Sequence, residues 1–67
     1  LQGGEDMTKK IKLLLKEKGI SQTELAENVG VSQAMISYIV KGFKAPSVTL
    51  LKRISDYLGV TMDELVQ

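Results

Sequence analysis

The stretch Gln22–Lys41, QTELAENVGVSQAMISYIVK, constrains this chain more than any other. One apolar-periodic segment ends at Val29, meets Gly30-Val31-Ser32, and gives way to a second. Glycine adopts a left-handed backbone without a Cβ penalty, so Gly30 stops the first helix. The Ser32 hydroxyl is placed to cap the next one. Wound at about 100° per residue, the second helix divides into two faces. Met35, Ile36, Ile39 and Val40 share one face. Gln33, Ala34, Ser37, Tyr38 and Lys41 share the other, which offers amide, hydroxyl, phenol and ammonium groups and no acid. A helix built this way is held from behind and reads something with its front. Ala26 is small where two crossing helices come closest, and Val31 brings an apolar side chain into the turn.

The flanking chain supplies what the apolar face needs to pack against. The spacing predicts helix 1 from about Thr8 to Lys18, with Ile11, Leu14 and Leu15 inward and Lys16 and Lys18 favouring its negative C-terminal end. Gly19 is its stop, and Ile20 turns into the core. Residues 1–6, LQGGED, have two glycines and no apolar period, and are expected as a flexible tail. Met7 is a plausible start, which makes residues 1–6 in part an expression remnant and places the folded domain at 7–67. In helix 2, Ser21 and Glu24 form a capping box. Leu25, Ala26 and Val29 face inward there, while Thr23, Glu24, Glu27 and Asn28 face water. Helix 3 ends near Lys41, with Gly42 closing it, and Phe43 to Pro46 is a loop. Pro46 blocks continuation from the N-terminal side, so helix 4 begins near Ser47, with Val48, Leu51, Ile54, Ser55 and Leu58 at helical spacing and Gly59 as its end. Thr61 and Glu64 form a second capping box, and Met62, Leu65 and Val66 give a short helix 5 its apolar face. No strand alternation and no internal repeat interrupts this pattern. The expected fold class is all-α, a compact five-helix bundle around one core. A 67-residue chain allows one small domain, which buries only about 60% of its unfolded surface.

Composition narrows the function classes. With neither cysteine nor histidine, disulfides are excluded and no metal or other cofactor is expected. A hydrophobic share of 43% with 25% charged residues is that of a globular protein. No apolar run approaches membrane-spanning length and no signal-peptide core is present, so no membrane partner and a cytoplasmic location are expected. Catalysis needs a nucleophile or an acid/base pair in a cleft. Glu24 and Glu27 lie on the water face of helix 2, and the neighbours Asp63 and Glu64 point apart. No catalytic residue and no small-molecule ligand is therefore expected. The net charge of +1 hides an uneven distribution. From Asn28 to Ser55 there is no acid, while Lys41, Lys44, Lys52 and Arg53 all fall in that window. A local positive surface matters more to nucleic acid than the total charge; the plainer reading is a solvated charge run.

Gln22, Ala26, Gly30, Val31, Ile36 and Ile39 stand at the spacing of the phage-repressor and Cro type of helix-turn-helix, the XRE family, which the chain resembles from Met7 to Val66. The resemblance implies a lambda-repressor-like domain in a bacterial or phage regulator of transcription, typically a repressor. It implies sequence-specific binding of double-stranded DNA, with helix 3 (about 32–41) in the major groove and a symmetric homodimer on two half-sites about one helical turn apart. Gln33 is then the best base reader, because its amide bonds an adenine edge with both atoms; otherwise it is an ordinary solvated glutamine. Ala34 meets a thymine methyl, and Ser37 discriminates weakly. Tyr38 meets a base or the sugar-phosphate, or covers the rim of the core. Phosphate contacts, which position rather than specify, are expected from Gln22, Ser32, Lys41, Lys44 and Ser47, and from the amides of Gly42 and Phe43. For Gln22 the alternative is a surface residue in a first turn. Val60, Met62, Leu65 and Val66 either form the dimer contact or close the core under helix 1. The alternative function is a protein-binding module, such as an antitoxin or the regulatory partner of another protein. The acid-free front of helix 3 favours DNA.

Overall fold

Gly3–Lys18 (α1), Gln22–Val29 (α2), Gln33–Val40 (α3), Val48–Leu58 (α4) and Met62–Val66 (α5) follow one another in the computed structural model, which describes residues 3–66 and the side chains of 7–65. No strand occurs among the described residues. The chain folds to a radius of gyration of 10.4 Å. Its centre is aliphatic: Ile11 of α1, Leu25 of α2, Ile36 and Ile39 of α3, Ile54 and Leu58 of α4 and Leu65 of α5 have essentially no exposed surface. α2 packs on α3 and α4, while α1 lies against α3 and α5. Every helix thus contributes to one core, and burial of each such side chain stabilises by about 1.5–3 kcal/mol.

Short polar devices set where the helices start. Ser21, Ser32 and Ser47 are the N-caps of α2, α3 and α4, their Oγ atoms accepting from the N–H groups of Glu24, Met35 and Leu50 at 3.0, 3.1 and 3.1 Å. Each supplies an acceptor to a backbone donor that has no partner within its own helix. Before α5, Thr61 and Glu64 form a complete box: the Glu64 N–H donates to Thr61 Oγ1 at 3.1 Å and the Thr61 N–H to Glu64 Oε1 at 2.8 Å. The box expected at Ser21 and Glu24 is only half used this way. The Glu24 carboxylate accepts instead from the Tyr57 hydroxyl at 2.7 Å, tying α2 to α4. That hydrogen bond raises the Tyr57 pKa from its ordinary 10.0, with desolvation and the Glu24 charge adding to the effect.

Two expectations are corrected. α1 begins at Gly3 rather than near Thr8, so the expected tail enters a helix, while Leu1 and Gln2 lie outside the described residues. No proline stands between Gly3 and Thr8, and extending a helix already anchored at Ile11 adds one hydrogen bond per residue fixed. In α4, Val48 is 75% exposed and the inward stripe begins with Leu50. Helical side chains lean toward the N-terminus. At the first position of α4, Val48 therefore projects past the helix end instead of onto the core.

Candidate nucleic-acid interface

The turn between α2 and α3 is built by Gly30 at φ 79°, ψ 32°. Its N–H and that of Val31 both donate to the Ala26 carbonyl, at 2.9 and 3.0 Å. Ala26 is buried where the chain folds back, and Val31 packs against the core. Arg53 of α4 lies across this corner, its Nη1 3.4 Å from the Val29 carbonyl oxygen. The same nitrogen is 3.6 Å from where a Cβ on Gly30 would sit. That contact is ordinary, so Gly30 is required by its positive φ rather than by crowding.

With its start fixed by Ser32, α3 turns Ile36, Ile39 and Val40 into the core and leaves Met35 half-buried. Gln33, Ala34, Tyr38 and Lys41 are exposed and Ser37 is half-buried. Gln33, Ala34, Ser37 and Tyr38 lie on one face of α3, Lys41 follows at its C-cap, and no acidic side chain interrupts them. Gln22 is half-buried at the first position of α2, and Ser32 and Ser47 are exposed. Their hydroxyl oxygens accept from helix N–H groups, which leaves each O–H free to donate outward. An outward donor beside a helix N-terminus suits an anion.

The end of α3 corrects the expected amide contacts. The Gly42 N–H donates to the Ile39 carbonyl at 3.0 Å and the Phe43 N–H to the Tyr38 carbonyl at 2.9 Å, with Gly42 at φ 81°. Both amides close the helix on itself and satisfy its last carbonyls, so neither is available to a phosphate. Phe43 instead exposes its side chain. The cationic window also divides. Lys52 bonds Asp56 at 3.0 Å and Arg53 braces the turn, while Lys41 and Lys44 stand exposed on the loop after α3.

Among the residues weighed for a dimer contact, Leu65 is fully buried in this chain's own core. Val60 and Met62 pack against that core, and the Val66 side chain lies outside the described residues. The Lys10 ammonium donates to the Glu64 carbonyl at 3.0 Å, clasping α1 to α5. Closing the core under α1 is thus the role that Leu65 fills. Sequence reasoning missed Arg53 as a brace and Tyr57 as a partner of Glu24. Both contacts bridge long separations, 24 and 33 positions, and no local pattern announces them.

A helix-turn-helix family model matches residues 11–65. The chain belongs to the helix-turn-helix family, of the XRE type that the residues resemble. The family's relatives include the HTH-type transcriptional regulator SinR of Bacillus subtilis, 38% identical over 58 residues that cover 85% of this chain and 52% of SinR. An HTH-type transcriptional regulator of Methanothermobacter thermautotrophicus is 48% identical over 44 residues, covering 66% of this chain and 64% of that protein. A crystal structure of SinR, the master regulator for biofilm formation, in complex with DNA superposes with a TM-score of 0.85 at 35% identity, covering 91% of this chain and 98% of that one. The chain spans about half the length of the SinR sequence it matches. No helix among the described residues is long and apolar enough to cross a membrane.

Proposed function

We propose that this chain is the sequence-specific DNA-binding domain of a transcriptional regulator, with α3 entering the major groove of double-stranded DNA. The observation that carries the reading is the exposed, acid-free face of α3, presented by buried Ile36 and Ile39. A family relative of the same fold, solved with DNA, supports it. The major groove accepts a helix and displays a distinct donor and acceptor pattern for each base pair. Gln33 reads an adenine edge, Ala34 meets a thymine methyl, Ser37 adds a weakly selective hydroxyl, and Tyr38 borders the groove. Gln22, the Ser32 and Ser47 hydroxyls, Lys41 and Lys44 hold phosphates and set the register.

The domain acts from the cytoplasm as one half of a symmetric pair on two half-sites, and occupancy of a promoter represses transcription without any catalytic group. Of the residues weighed for that pairing, Val60 and Met62, half-buried at the edge of the core, are the ones offered to it.

Selection of bound duplexes from a random pool tests the reading, followed by affinity measurements over a range of salt. The expected result is a recurring sequence whose binding weakens steeply as salt rises. Retention of no duplex, or binding indifferent to salt and sequence, rejects it and favours the protein-binding module.

A further inference from the structure

The chain's single phenylalanine, Phe43, is 76% exposed although the core is built from aliphatic residues. A large ring left in water forgoes the gain that burial supplies. Nor is it displayed by a loose loop. The left-handed turn at Gly42 and the bond from the Phe43 N–H to the Tyr38 carbonyl at 2.9 Å set the Phe43 ring beside the ring of Tyr38, itself 51% exposed. The centroids are 6.5 Å apart, within the contact range of aromatic pairs, and the planes are tilted by 46°. Together they form an aromatic ridge at the end of α3's exposed face, and the exposed Lys41 and Lys44 stand two residues before and one residue after Phe43. Single apolar residues scattered on a surface are ordinary; an aromatic pair in contact, with two exposed lysines on the same short segment, is a shaped feature.

We propose that the Tyr38–Phe43 ridge is an apolar contact to the deoxyribose edge of the groove that receives α3; this rests on the DNA reading above. A DNA strand alternates anionic phosphates with the C–H faces of its sugars. Lys41 and Lys44, on the segment that carries Phe43, match the phosphates, and the two rings match the sugars. Every nucleotide carries the same sugar, so the contact strengthens binding to all sequences alike and displaces no counterions. It adds affinity where phosphate contacts are few, because Lys52 and Arg53 are engaged elsewhere and the Gly42 and Phe43 amides close the helix. The thymine methyl is the other apolar group that DNA presents, and the experiment separates the two.

Affinities of the wild-type chain, Phe43→Ala and Phe43→Lys are measured by fluorescence anisotropy over a range of salt. Three probes are used: a duplex selected from a random pool, an unrelated duplex, and the selected duplex with thymine replaced by deoxyuracil. Thermal melting and sedimentation check that fold and oligomeric state are shared. Phe43→Ala is expected to bind all three about tenfold more weakly with an unchanged salt slope, and Phe43→Lys to steepen that slope by about 1. Wild-type affinity in Phe43→Ala overturns the proposal, as does a loss that vanishes on the deoxyuracil probe or a slope that flattens. Dissociation of a dimer by Phe43→Ala overturns it in favour of a contact between copies. A wild-type chain that binds no duplex rejects the DNA reading and this contact together, whereas a binding wild type matched by Phe43→Ala rejects this contact alone.

Discussion

The guanidinium of Arg53 reaches back 24 residues to the Val29 carbonyl, at 3.4 Å, and so bridges the corner from which α3 departs. At that length the hydrogen bond is weak, and removing it by Arg53→Ala should cost only about 1 kcal/mol in urea denaturation. Gly30→Ala should cost about 1–2 kcal/mol, because a left-handed backbone penalises any Cβ. If the positive φ is the cause, Arg53→Ala will not relieve that penalty and the two losses will add. A double variant distinctly more stable than the sum would show that Arg53 crowds the corner.

Gln33 stands exposed in the first turn of α3. Gln33→Ala should therefore melt like the wild type while losing about 1–3 kcal/mol of binding at one base pair. Repeating the duplex selection with the variant checks this. An unchanged preferred site would remove Gln33 from base reading.

Lys41→Ala and Gln22→Ala should weaken binding to every duplex by a similar factor, since phosphates carry no sequence information. For Lys41→Ala the slope of log affinity against log salt should also fall by about 1. Either variant choosing a different site would contradict a backbone role.

The Tyr57–Glu24 bond gives stability a dependence on alkaline pH. The folded-state pKa of Tyr57 lies above the unfolded value of 10.0, chiefly because its hydroxyl donates to the Glu24 carboxylate. The folded state therefore favours the protonated phenol. The bond's contribution is fully present below pH 10.0 and is lost as pH rises through the raised value. Denaturation of the wild type and Tyr57→Phe as a function of pH should give a constant difference from neutral pH up to 10.0 and a shrinking one above it. A difference that persists at high pH would show that the phenol does not titrate with its bond.

The helices and the helix-turn-helix corner were legible because caps, glycine stops and the apolar period are local signals. Ser21, Ser32, Ser47, Gly30 and the inward trio Ile36, Ile39 and Val40 stand as their spacing implies. What escaped depends on neighbours distant in the chain or on backbone closure. The same serine-or-threonine and glutamate pattern gives a full box at Thr61–Glu64 and half of one at Ser21–Glu24, because Tyr57 competes for the second carboxylate. Val48 and Leu50 both fit an apolar period, and only the lean of side chains beyond the end of α4 decides which one is buried. The amides of Gly42 and Phe43 read as available donors until the left-handed residue turns them onto Ile39 and Tyr38. For the proposed interface, the front of α3 was visible in the sequence, while the aromatic ridge at its far end was not, since it exists only through that closure.

The Ser32 hydroxyl ties off the start of α3, and Gly42 seals its far end with the helix's own carbonyls. A segment finished in this way surrenders little freedom when it docks. Operators that differ by a single base pair should then be met at nearly the same speed and abandoned at very different ones. Residence time, not encounter, would be where this small domain tells one promoter from another.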